Sequence, residues 1–194
     1  MSKYAIVDLE MCRVPMDVSV DDYPYGQEII QVGVVLLDEK FDKIGEFCSL
    51  VKPQFGEVND YITRLTGITK ASTLTARDFR SVITELVEWL PNDVVFVEWS
   101  NNDQNQLCTE IEFKGLEEKI YDVFFDEWID CQLSFSQKLN TQKIYKLSEA
   151  LSIADIFYDD GAHDALIDAK NTAKLFKKIM TEDKLKLSPY LKVE

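Results

Sequence analysis

Apolar residues fill both faces of the segment KYAIVDLE (residues 3–10), the pattern of a strand buried inside a sheet. The run EIIQVGVVLLDEKFDKIGEFCSLVKP (28–53) predicts two strands joined by a turn around Asp38–Lys43, because two apolar stretches flank a polar cluster. A loop with short helical pieces is expected over 59–72. Between 75 and 90, Phe79, Val82, Ile83, Leu86, Val87 and Leu90 recur at helical spacing and Pro91 stops the element. DVVFVEW (93–99) reads as another buried strand, NDQNQLCTEIEF (102–113) as a helix opening on Asn or Asp, and DEWIDC (126–131) as a last strand. Helices are expected over 132–139, 145–154 and 164–180. Strands come first and then alternate with helices, which predicts one α/β domain over residues 1–194. There is no internal repeat, low-complexity segment or linker.

Composition narrows the function. A chain of 194 residues with 46% apolar content buries a large core. The formal charge of −14 opposes any role in coating nucleic acid through counterion release. It leaves open a protein that grips a few phosphates through metal ions. Cysteines 12, 48, 108 and 131 form no C-x-x-C pair, so neither a zinc site nor a disulfide framework is expected. The start MSKYAIVDLE is not a signal peptide, and the run VGVVLL is too short to cross a bilayer. A cytoplasmic setting without a membrane partner is the expectation.

The candidate chemistry lies in carboxylates at core positions. Taking Asp168 as zero on the last helix, Thr172, Leu175 and Ile179 fall within about 40° of it. Ala165, Ala169, Ala173, Phe176 and Met180 continue this apolar arc, while Lys170, Lys174, Lys177 and Lys178 lie opposite on a face expected to be solvated. Asp168 therefore points inward, where an unpartnered carboxylate is costly. Asp8 and Glu10 are two apart, so both leave the same face of the first strand, and they repel each other unless a cation lies between them. Asp103 follows the strand DVVFVEW at a strand-to-helix turn, where ligands gather in open α/β sheets; a helix cap is the plainer role for it.

His163 is the only histidine. On a continuous helix it would diverge from Asp168 by roughly 140°. The two converge only if His163 sits on a loop, and Gly161 makes room for that break. An imidazole over clustered acids suits a general base. Hard oxygen ligands without cysteine favour Mg²⁺ or Mn²⁺ over zinc. Two such ions roughly 4 Å apart are a known arrangement for attack of water on a phosphodiester.

The blocks IVDLEMC (6–12), EIIQVGVVLLD (28–38), LTGIT (65–69), WSNND (99–103) and HDALIDAKNTAKL (163–175) resemble, in order, those of the DEDDh 3′→5′ exonucleases. The resemblance runs over about residues 3–180. It implies a ribonuclease H-like fold, a mixed five-stranded sheet flanked by helices on both faces. It implies that Asp8, Glu10, Asp103 and Asp168 hold two Mg²⁺ or Mn²⁺ ions and that His163 is the general base. DLEMC with LTGIT is most similar to the branch that trims histone messages and small interfering RNAs, whose bacterial relatives include exonucleases described as sporulation-kinase inhibitors. In that branch Met11 would line the pocket for the terminal nucleotide, and Tyr61 and Leu65 would pack on its base. Core packing is the competing role for Tyr61 and Leu65. Asn102 stands where RNA-trimming relatives often carry Trp. The resulting expectation is a metal-dependent 3′→5′ exonuclease acting on single-stranded RNA or DNA 3′ ends, with RNA or short oligonucleotides preferred. The rival readings are a nuclease-like regulatory protein with vestigial activity and a DNA proofreading-type exonuclease.

Overall fold

The computed structural model describes residues 2–189 except 160 and 162. Three long strands open the chain: β1 (Lys3–Arg13), β2 (Gln27–Leu37) and β3 (Lys43–Lys52). Two short helices follow, α1 (Asp60–Thr66) and α2 (Lys70–Leu74), where helical pieces were expected. Next come β4 (Arg77–Asp78), α3 (Phe79–Trp89), β5 (Val94–Glu98) and α4 (Asn102–Phe113). The remainder is α5 (Glu118–Phe125), β6 (Ile129–Asp130), α6 (Cys131–Lys138), α7 (Leu147–Ile153) and α8 (Ala165–Thr181).

The sheet runs in the order β4-β3-β2-β1-β5-β6. β1 pairs antiparallel with β2 and parallel with β5, and β5 pairs parallel with β6. The five expected strands are therefore present in a mixed sheet, and a sixth of two residues joins at the edge. That addition shortens the first long helix. Residues 77–78 pair with β3, and the Asp78 side chain then accepts from Ser81 N–H, so α3 starts at Phe79 instead of near 75. DEWIDC contributes only Ile129 and Asp130 as strand. The helix α5 has no counterpart in the sequence-based expectation.

Side-chain alternation on the central strands divides the core. Ala5, Val7 and Leu9 of β1, with Val32, Val34 and Leu36 of β2, pack under Val82, Ile83 and Leu86 of α3, Leu107 of α4 and Phe124 of α5. Ile6, Val35 and Leu37 point the other way, onto Phe135, Leu151, Leu175 and Phe176 from α6, α7 and α8. Each fully buried Leu, Ile or Phe contributes roughly 1.5–3 kcal/mol. Because the strand period is two, Asp8 and Glu10 lie on the α8 side with Ile6.

Gly33 on β2 shares that face. A Cβ there would stand 2.3 Å from the Ala165 carbonyl carbon and 2.4 Å from Leu166 N. The missing side chain lets the first turn of α8 lie directly on the strand. Met180 does not continue the buried arc of α8: it is 45% exposed, whereas its neighbour Ile179 is buried in the core. The lysine face of α8 is laced with partners rather than simply solvated. Lys170 reaches Glu46 at 3.1 Å, Lys174 reaches Asp159 at 2.6 Å, and Lys177 pairs with Asp42.

Candidate active site

The carboxyl ends of the parallel neighbours β1 and β5 meet at one edge of the sheet, the position where α/β folds collect ligands. There β1 delivers Asp8 and Glu10 side by side. Asp8 lies among Asp103, Asp168, Glu10 and Asp164; burial first, and then those charges, raise its carboxyl well above the usual range. Glu10 is pushed up to about 8 by burial, with Asp168 and Asp164 adding to it. Both shifts have the cause expected of like charges gathered in a desolvated place.

Asp103 is buried, with 8% of its surface exposed, on the first turn of α4. Burial, Glu98 and Glu10 raise its carboxyl, opposed by a hydrogen bond from the Leu9 backbone. It does not cap its helix. The N-cap is Asn101, which makes no side-chain cap bond. The capping is done from β5: Glu98 Oε2 accepts from Gln104 N–H at 3.0 Å, and the Asp103 backbone also bonds to it. Glu98 thus satisfies amides that Asp103 would otherwise serve, and Asp103 is free to face β1. Burial pushes Glu98 up to about 7 despite those bonds.

α8 supplies the fourth acid. Asp164 is its N-cap, accepting from Leu166 and Ile167 N–H at 3.1 Å each. Gln31, opposite Glu10 in the β1–β2 ladder, clamps the helix start. Its Nε2 donates to Asp164 Oδ2 at 3.2 Å, and its Oε1 accepts from Ala165 N–H at 3.1 Å. One turn along, Asp168 faces β1. Its Oδ2 accepts from the His163 backbone N–H at 2.9 Å and its Oδ1 from the Tyr158 hydroxyl at 2.7 Å.

His163 lies on the loop before α8, in the left-handed region at φ 66°, and Gly161 has φ 112°. The two positive angles turn the chain so that the exposed imidazole comes back over the cluster. Ligand atoms of Glu10, His163 and Asp168 lie within 4.8 Å of one another. Three of the five residues expected to converge thus lie together, while Asp8 and Asp103 share the wall of one cleft and feel the charge of Glu10. Among the described residues, no ion pair with lysine or arginine involves Asp8, Glu10, Asp103 or Asp168. Four acids without a basic partner, together with one imidazole, form a donor set that suits a hard divalent cation.

A cleft of about 500 Å³ opens beside the acids, lined by Asp8, Met11, Trp99, Asn102, Asp103 and Gln106 among others. Met11 is therefore on the cleft wall. So is Asn102, and Trp99 supplies an aromatic wall three residues before it. Tyr61 and Leu65 are outside this lining. Tyr61 is 55% exposed on α1, so it is not a core residue; Leu65 is half-buried, while Ile62 and Ile68 fill the small core beneath. Sequence reasoning missed Gln31, Glu98, Tyr158 and Asp164. For Glu98 a signal existed, a charged residue closing an apolar strand just ahead of a helix.

The comparisons with known proteins bear on the family and the fold. A family model described as an exonuclease, RNase_T, matches residues 6–176. The chain is 27% identical over 190 residues to the 3′-5′ exonuclease Snipper of Drosophila melanogaster, covering 84% of this chain and 66% of that protein. It is 30% identical over 180 residues to ERI1 exoribonuclease 2 of Danio rerio, covering 81% of this chain and 32% of that protein. The solved nuclease domain of 3′hExo, described as a DEDDh family member bound to rAMP, superposes with a TM-score of 0.74 at 21% identity over 98% of each chain. That last likeness concerns the fold.

Proposed function

The chain belongs to the RNase_T exonuclease family and has the ribonuclease H-like fold of its DEDDh members, and from that premise we propose that it is a metal-dependent 3′→5′ exonuclease. It releases nucleoside monophosphates from single-stranded 3′ ends, with RNA or short oligonucleotides preferred. One observation carries the reading: Glu10 and Asp168 lie together under the only histidine, Asp8 and Asp103 line the adjoining cleft, and among the described residues none of the four has a basic partner.

The four acids hold two Mg²⁺ or Mn²⁺ ions, which when bound supply Lewis-acid polarisation of the scissile phosphate and offset the local negative field. Among the described residues that line the cleft none is cationic, so a bound ion would be the counter-charge to the phosphate there. His163 takes the proton from the attacking water. Its loop position leaves it exposed, its backbone N–H donates to Asp168, and among the described residues no hydrogen bond occupies its ring nitrogens. The water oxygen bonds to phosphorus, the bond to the 3′-oxygen of the preceding nucleotide breaks, and a terminal nucleoside 5′-monophosphate departs.

Met11 and Trp99 on the cleft wall offer apolar surface to the terminal nucleoside. Tyr61, exposed on α1, offers a stacking surface for a base of any identity, with Leu65 beside it on the same helix. RNA is favoured because ERI1 exoribonuclease 2 bears that activity in its name and 3′hExo is described with rAMP bound. The net charge of −14 gives no long-range attraction, so binding is local and distributive. The protein works in the cytoplasm, and its four cysteines are free thiols. No helix among the described residues is long and apolar enough to cross a membrane.

Paired RNA and DNA oligomers of one sequence, labelled at the 5′ end and incubated with Mg²⁺ or Mn²⁺, test the reading. A ladder shrinking from the 3′ end with mononucleotide release is expected, faster on RNA. Normal turnover by Asp8→Ala would exclude the mechanism.

A further inference from the structure

Asp168 is gripped on both oxygens. A carboxylate can rotate about its last side-chain bond with little resistance, yet here one donor occupies each oxygen: the Tyr158 hydroxyl on Oδ1 at 2.7 Å and the His163 N–H on Oδ2 at 2.9 Å. Each carboxylate oxygen accepts two hydrogen bonds. Among the described residues a lone pair therefore remains free on each, and the plane of the group is fixed.

The hydroxyl is not required to hold its own segment in place. Asp159 N–H donates to Asn171 Oδ1 at 3.1 Å, and Lys174 Nζ reaches Asp159 Oδ2 at 2.6 Å and the Phe157 carbonyl at 3.4 Å. Three bonds from α8 thus fasten residues 157–159 independently of Tyr158. Its hydroxyl is also close enough to Asp8 and Glu10 to feel their charge. A half-buried phenol is thereby brought to the border of the acid cluster with its O–H donating to Asp168.

The geometry points to Tyr158 as a positioning residue that fixes the plane of Asp168 for a divalent cation and keeps that carboxylate docked under the His163 loop. The inference rests on the exonuclease reading for its catalytic consequence, and on the hydrogen bonds alone for its effect on cation binding. Donors that orient a ligating carboxylate are worth about 10- to 100-fold in metal affinity or activity.

In the full chain, Tyr158→Phe keeps the ring and removes the hydroxyl. The expected result is an increase of about tenfold in the Mn²⁺ dissociation constant by calorimetry. The Mn²⁺ concentration for half-maximal nucleotide release should rise in parallel, while the KM for nucleic acid and the Tm stay unchanged. A lower Tm with unchanged Mn²⁺ affinity would show that the hydroxyl merely holds the loop. A raised KM alone would show that it touches substrate. Either result overturns the proposal. Absence of nucleotide release by the wild type would sink the activity reading, but the calorimetry would still decide the role of Tyr158. Should Tyr158→Phe fail to fold, 3-fluorotyrosine placed at 158 replaces it. Its fluorine resonance should move along the Mg²⁺ saturation curve, and a resonance that stays still overturns the proposal.

Discussion

The backbone N–H of His163 donates to the Asp168 carboxylate at 2.9 Å, so the loop bearing the imidazole is docked by one of the acids it overhangs. Losing the acid and losing the imidazole should then have different consequences. Asp168→Asn keeps the shape and an acceptor for the loop but removes the charge. It should abolish measurable divalent binding by calorimetry and, with it, nucleotide release. His163→Ala should leave divalent binding near the wild-type value and lower turnover by about 10²–10⁴-fold. Equal loss of metal affinity in both variants would make His163 a ligand instead of a base.

The crowded acids make the stability of the metal-free protein depend on pH. Glu10 and Glu98 ionise at about 8 and about 7 in the folded chain against an ordinary 4.5, and Asp8 and Asp103 shift the same way. Between pH 4.5 and about 8 the folded protein retains protons that the unfolded chain has released, so stability falls as pH rises through that window. The benefit is complete near the lower end and gone above the upper. In chelator, the Tm should be several degrees higher at pH 5.5 than at pH 8. Excess Mg²⁺ binds the ionised cluster and adds stability at the upper end, so it should flatten the dependence. Thermal melts at both pH values, with and without the ion, check both statements.

Much of this arrangement is legible in the residues because it rests on local periodicity. The alternation on β1 places Asp8 and Glu10 on one face, and the helical spacing of the last element turns Asp168 inward. Gly161 announces the break that frees His163. The roles of Gln31 and Tyr158 are not legible, because each depends on which element packs opposite. Gln31 bonds to residues more than 130 positions away, and Tyr158 lies in a segment with no periodicity. The capping role weighed for Asp103 was displaced by Glu98, a competitor from a neighbouring strand that local rules do not include. The helix α5 spans only eight residues and starts at Glu117 without a side-chain cap bond, so its apolar stripe lacks a local start signal.

Gly33 offers a test of how closely the site depends on the seating of α8. A methyl group there meets the backbone of Ala165 and Leu166 at 2.3–2.4 Å, with no flexible side chain to give way. Gly33→Ala should lift the first turn of the helix and disturb the Gln31 clamp, at a cost of about 3 kcal/mol, the upper end of overpacking. A fall in Tm of about 6 °C or more is expected, together with weaker Mn²⁺ binding. Gly26 has nothing within 4 Å of a Cβ, so Gly26→Ala should change neither quantity.

A second buried charge cluster joins β2 to α4, next to Gln106 on the wall of the acid cleft. Lys114 pairs with Glu28 at 2.7 Å and with Glu110 at 2.6 Å, and its side chain is 9% exposed against 0% for both acids. Glu28 accepts the N–H groups of Gln54, Phe55 and Gly56, while Glu110 accepts that of Ile29. The last bond matters because the β1–β2 register slips between Glu10 and Met11, leaving Ile30 as the extra residue of a bulge. Lys114→Met would strand two buried carboxylates and should cost about 3–5 kcal/mol, as loss of one partner from a buried ionic group does. Adding Glu110→Gln removes one of the stranded charges while keeping an acceptor for Ile29, so the double variant should recover part of the loss. Urea unfolding of the two variants and the wild type gives the comparison. A double variant less stable than Lys114→Met would mean that the charge of Glu110, and not only its acceptor, supports the bulge.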